Sequence, residues 1–149
     1  MQEKNKFRHA EKCLYEYKRN LAALDVLRED LRVEKNSTDV HAQSYQLNFG
    51  FNSEPSNPVE SRLIKIENLE NKIRLLERCT KPVTQLINDL NAPENLIGSD
   101  NKLLLDILKL LYFGKNTVEA ILDELHIARR TFTRKRRSLV LMTADYLAF

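Results

Sequence analysis

The chain has no Trp, three Gly, four Pro and two Cys in 149 residues. So little Gly and Pro leaves too few turn residues for a sandwich or barrel of many short strands. It also leaves little material for a phosphate-cradling or dinucleotide-binding loop, and neither fingerprint is present, nor is a nucleophile elbow. Two cysteines, Cys13 and Cys79, make no disulfide framework, and free thiols in a reducing compartment are the expectation. No apolar run approaches the ~18 residues of a membrane span, and MQEKNKFRHAEK lacks the apolar stretch of a signal peptide. What is abundant is charge, at 30% of residues, beside a hydrophobic share of 42% that is too high for a wholly disordered chain. The expected class is all-α, without catalytic residues or cofactor, non-membrane and cytoplasmic.

The charge is unevenly placed. Ala128 to Ser138 holds Arg129, Arg130, Arg134, Lys135, Arg136 and Arg137, six of the 24 bases, and none of the 21 acids. The rest of the chain then carries 18 bases against 21 acids, so the net of +3 comes from this one segment. A localised basic segment is the electrostatic footprint of a polyanion-binding surface.

Four stretches follow from the patterning. Residues 1–34 form a long helix whose seam runs Phe7, Ala10, Leu14, Tyr17, Leu21, Leu24 and Leu31 in steps of three and four, interrupted at Arg28. Residues 35–58 hold four Asn, four Ser, two Pro and one Gly and read as a loop. In 59–91 the seam resumes through Val59, Ile66, Leu69, Ile73, Leu76, Val83, Ile87 and Leu90, and Pro82 is expected to kink the helix or start a new one. Two such helices pair as an antiparallel hairpin, or each pairs with its copy in a homodimer; heptads alone do not choose.

Residues 92–149 read as a helix-turn-helix domain. Ser99 can cap a helix through Leu111 that Gly114 ends. Asn116 and Glu119 have capping-box spacing for a short helix through Val118, Ile121, Leu122 and Leu125. After His126 and Ile127, a last helix over 128–148 packs Phe132, Leu139, Met142 and Tyr146 and turns its basic side outward. In such a motif Arg129, Arg130, Thr131, Thr133, Arg134 and Arg137 face the DNA major groove, where Arg donates two hydrogen bonds to guanine. Lys115, Thr117 and Arg136 are expected on phosphates.

The segment NTVEAILDELHIARRTFTRKRRSL resembles the helix-turn-helix of ArpU/RinA-like phage regulators, itself similar to the promoter-reading region of sigma factors. Tyr112 and Phe113 match the family's aromatic pair, and Ala128–Thr131 matches its Ser-Arg-Arg-Thr-like opening. LYEYKRNLAALDVLREDL, the Ser/Asn-rich loop and PVESRLIKIENLENKIRLLE follow the family's order of elements. Ala128 stands where that family favours Ser, and Thr133 and Lys135 stand where it favours aromatics. The resemblance implies an activator of late genes in phages or mobile elements, acting in the bacterial cytoplasm on an operator or promoter in double-stranded DNA. RNA polymerase is then a further candidate partner. Two other readings remain open: a coiled-coil antagonist or adaptor whose basic helix binds a protein, and a sigma-like polymerase subunit.

His9 and Cys13, four residues apart, supply two of the four ligands a structural zinc requires, so no metal is expected. Adjacent acids such as Glu29 and Asp30, or Asp123 and Glu124, point in different directions from a helix and read as solvated surface.

Overall fold

The computed structural model describes residues 1–36, 58–92 and 99–147. They form α1 (Gln2–Asn36), α2 (Pro58–Asn91), α3 (Ser99–Ile107), α4 (Val118–Leu125) and α5 (Arg129–Tyr146), and α3 runs straight into a π-helical segment, Leu108–Phe113. The chain is all-helical: among the described residues there is no strand. No described helix is long and apolar enough to cross a membrane. The expected loop lies, over 37–57, outside the described residues, as does the side chain of the expected cap Ser99.

Two corrections concern helix ends and breaks. Of the two outcomes expected at Pro82, a kink or a new helix, the new helix is not found: Pro82 sits inside an unbroken α2. Its missing N–H leaves the Arg78 carbonyl without its helical donor, and the chain's division into two compact units falls at that residue. α3, expected as an α-helix to Leu111, widens at Leu108 into a π-turn, in which Gly114 N–H reaches Lys109 O at 2.8 Å and Asn116 N–H reaches Leu110 O at 3.0 Å. Gly114 has an ordinary φ of −84°. It is needed for space, because a Cβ there would lie 3.0 to 3.2 Å from Asn116 Nδ2 and the carbonyls of Leu110 and Lys109.

The first unit joins Met1–Leu21 with Arg78–Phe149. The sequence places a boundary at 91/92, whereas here the start of α1 and the end of α2 share a core with the carboxy-terminal helices. That core takes Ala10, Leu14 and Tyr17 from α1, Val83, Leu86 and Leu90 from α2, Leu104 to Tyr112 in helical steps, Ile121 from α4, and Phe132, Leu139 and Val140 from α5. Its polar groups are satisfied. Thr84 donates to the Thr80 carbonyl at 3.0 Å, so the bond of 2.8 Å between Tyr17 and Thr84 takes its proton from Tyr17. Buried Thr143 donates to the Leu139 carbonyl at 2.9 Å, and Tyr146 donates to Asp89. No buried side-chain nitrogen or oxygen among the described residues is left without a partner.

The second unit, Ala22–Glu77, contains the remainder of the two long helices. Leu24 is buried, and Leu27, Leu31, Ile66, Leu69, Ile73 and Leu76 are half-buried; Val59, expected at the head of the seam, is exposed. Arg28 interrupts the seam to pair with Glu77 at 2.9 Å. Lys35 meets Glu70 at 3.2 Å, and Glu34 meets Lys65 at 3.4 Å and Arg62 at 3.9 Å. Arg28 thus meets the end of this stretch of α2, and Glu34 and Lys35 meet residues between Arg62 and Glu70.

Candidate nucleic-acid interface

The candidate surface is built on α4, α5 and the three residues between them, all in the first unit. Thr117, with extended backbone, caps α4 by accepting the Ala120 N–H at 3.3 Å. The cap is therefore one residue later than the expected Asn116, and Glu119 has no capping-box role. Its carboxyl is held below the usual range by its own backbone N–H first, and then by Arg129. Val118, Ile121, Leu122 and Leu125 make the packed face of α4. The helix ends where His126 takes the left-handed conformation, φ 53°, and both His126 and Ile127 N–H groups bond to the Leu122 carbonyl. These two hydrogen bonds to one carbonyl oxygen fold the chain sharply into α5.

α5 begins against local rules. Ala128 has extended backbone and offers no side-chain cap. Arg129 and Arg130 follow at once, with no acid in the first turn. A helix amino terminus carries about half a positive charge, so cations there cost some 0.3–1 kcal/mol each where carboxylates would stabilise.

The basic residues of α5 divide into two sets. Lys135 and Arg136 lie at the edge of the packed face and are half-buried. Lys135 meets Asp100 of α3 at 3.1 Å. Arg136, expected on phosphate, turns inward to Glu11 of α1, with Nε at 2.8 Å and Nη2 closer still. Tyr112 donates to the same carboxylate oxygen at 3.1 Å. Burial works against the Arg136 charge, and Glu11 and Tyr112 outweigh it, so its pKa is raised. Burial, then the Glu11 charge, push the Tyr112 phenol above its ordinary value. Tyr15 packs edge-on against the Tyr112 ring at 4.7 Å, and Tyr17 stacks on Phe113 at 5.3 Å.

The other set is exposed. Arg130, Thr133, Arg134 and Arg137 share one exposed face, and among the described residues the ion pairs of α5 fall on Arg129, Lys135 and Arg136 rather than on these three arginines. From Arg130 to Arg137 is about 10 Å along the axis. Leu141, one turn on and exposed, extends the same face. Thr133 Oγ1 donates to the Arg129 carbonyl at 3.0 Å, leaving its methyl and oxygen lone pairs outward. Arg129 flanks the stripe, held by Glu119 at 2.7 Å in a pair exposed on both sides. Thr131 is half-buried. Lys115, left-handed at φ 52°, and Thr117 are exposed just ahead of α4.

Sequence reasoning did not find Glu11 and Tyr112 as the groups that hold Arg136. A helical wheel places Glu11 outside the seam, and nothing local pairs it with a residue 125 positions away. A second constellation also emerges. His9 and Cys13 are joined by Cys79 from α2, their ligand atoms all within 4.8 Å of one another. The two thiols lie close enough to perturb each other, so the pKa of Cys13 is pushed up by Cys79 and by burial and that of Cys79 is lowered by Cys13.

Comparison of the chain with family models, with curated proteins and with solved structures gives no match.

Proposed function

We propose that the chain is a sequence-specific, DNA-binding transcriptional regulator in which α4 and α5 act as a helix-turn-helix and the long helices form a hairpin. The observation that carries the reading is the outward face of α5. Arg130, Arg134 and Arg137 project together from a helix whose opposite side is buried and whose other bases are already paired to acids. An acceptor-rich groove about 12 Å wide fits a helix presenting such a stripe. Arg130, Thr133 and Arg134 are assigned to base edges, with Arg129, Thr131 and Arg137 beside them. Lys115 and Thr117 are assigned to phosphate. Arg136, engaged by Glu11, is left out of the surface. The resemblance to ArpU/RinA-like regulators favours activation of late phage or mobile-element genes.

The test is selection of bound sequences from a random duplex library by the full chain and by Arg130→Ala/Arg134→Ala. A defined motif with wild type, lost in the double variant, supports the reading. Each bidentate arginine–guanine pair contributes roughly 1–3 kcal/mol of discrimination. No enrichment by a folded wild-type chain overturns intrinsic DNA reading. Enrichment that arises only when RNA polymerase is added points to the sigma-like role instead.

A further inference from the structure

The His9–Cys13–Cys79 cluster lies in the first unit and belongs to no part of the basic surface. His9 and Cys13 are one turn apart on α1, with His9 Nε2 and Cys13 Sγ 3.9 Å apart. Cys79 approaches from α2, and the three ligand atoms lie within 4.8 Å of one another. We propose that these three side chains bind one thiophilic divalent cation, for which Zn²⁺ is the probe.

Three observations support a metal. The donor set is soft: two sulfurs and an imidazole are the ligands zinc takes in preference to harder ions. The geometry is close. Bonds of about 2.3 Å to sulfur and 2.0–2.1 Å to nitrogen in a tetrahedron put ligand atoms about 3.5–3.8 Å apart, so the set closes with shifts of about 1 Å or less. Burial is graded, because Cys13 is buried, Cys79 half-buried and His9 exposed, which gives an ion a protein wall behind it and an entry path past the imidazole. These two cysteines are also all that the chain possesses, brought together from positions 13 and 79. Three protein ligands leave the fourth tetrahedral position to solvent. The ion would tie α1 to α2 within this unit. The complete ligand set exists only in the folded chain, so binding also stabilises the fold.

The experiment uses the full chain, reduced and under anaerobic conditions, titrated first with Co²⁺ and then with Zn²⁺ in competition with a chromophoric chelator. Wild type is expected to take one ion, with a near-ultraviolet thiolate-to-cobalt band that Zn²⁺ abolishes, and to melt at a higher temperature with Zn²⁺ than without. Loss of even an outer-shell partner weakens metal sites about 10- to 100-fold, so His9→Gln, at an exposed position, should bind at least about tenfold more weakly with its helicity unchanged. Cys79→Ser should lose the band. Should Cys13→Ser fail to fold, the other two variants still decide. No band from a folded, reduced wild-type chain overturns the proposal, as does equal affinity in His9→Gln or retained uptake in Cys79→Ser. None of these readouts involves DNA, so this site and the basic surface stand or fall separately.

Discussion

Removing the Glu11 carboxylate tests how the start of the chain holds the helix near its end. Glu11 is only 16% exposed and accepts from Arg136 Nε, Arg136 Nη2 and Tyr112 Oη. A hydrogen bond to a charged group contributes about 1.5–3 kcal/mol, and stripping the partner from a fully buried pair costs about 3–5 kcal/mol. Arg136 keeps 38% of its side-chain surface in water, so solvent recovers part of that loss. Glu11→Gln should therefore destabilise by about 1–2 kcal/mol and Glu11→Ala by about 2–3 kcal/mol. With Arg136→Met, a double-mutant cycle should give a coupling of about 1–2 kcal/mol. Urea unfolding is the assay, followed by tyrosine fluorescence because the chain has no Trp. With a slope near 2 kcal/mol/M, Glu11→Ala should move the midpoint down by about 1 M. A second readout is alkaline titration. Tyr112 is raised in the folded state, so its protonated form contributes stability that is fully present below the unfolded value near 10 and lost as pH rises through the folded one. Glu11→Gln removes the carboxylate charge and leaves Arg136 beside the phenol, so Tyr112 should ionise at lower pH. A coupling below about 0.5 kcal/mol, together with an unmoved Tyr112 titration, would refute the argument.

Three further substitutions probe the turn and the basic surface. Ala128→Ser supplies the cap that α5 lacks and should stabilise by about 0.5–2 kcal/mol in urea unfolding; no gain would mean that the α5 amino terminus is already satisfied by other means. His126→Gly relieves a left-handed residue costing about 1–2 kcal/mol, partly offset by the greater chain entropy of Gly, for a net gain of about 0.5 kcal/mol in the same assay. A net loss would show that the His126 side chain makes up for its backbone. Glu119→Gln releases Arg129 and should raise duplex affinity while steepening the salt dependence by about one ion. An unchanged slope in salt titrations would remove Arg129 from the proposed interface.

Much of the fold is legible in composition and periodicity, because helices declare themselves through a local pattern. The α1 and α2 seams, the packed face of α4, and Phe132 and Leu139 on α5 all come from steps of three and four, and the burial of the first unit follows them. The misreadings share a cause. Pro82 allows a new helix because the local rule ignores what neighbouring helices contribute; Val83, Leu86 and Leu90, buried on its far side, carry α2 through instead. Asn116 loses the cap to Thr117 because the π-turn draws the Asn116 N–H back to Leu110 and shifts the start of α4 by one residue. Arg136 looks like its neighbours in sequence, and only a glutamate 125 positions away distinguishes it. Cys79 joins His9 and Cys13 by the same kind of long-range approach.

The division of α5 bears on whether its basic face is ordinary solvated surface. Were the charges there only for solubility, nothing would require them to sort by direction. Instead Lys135 and Arg136 meet acids from α3 and α1, while Arg130, Arg134 and Arg137 share an outward face. The first turn of α5 also gives up its cap and places two arginines at the positive end of the dipole, both of which cost stability. Under the proposed function, the uncapped amino terminus of α5 would be part of the binding surface. A bound polyanion would offset both losses together, since phosphate or base acceptors would satisfy the open N–H groups and the arginines at once. Ala128→Ser and the library selection therefore constrain each other. A cap that stabilises the free chain while weakening the selected complex would identify the bare amino terminus of α5 as part of the DNA contact, and a cap that leaves the complex unchanged would assign the contact to the arginine side chains alone.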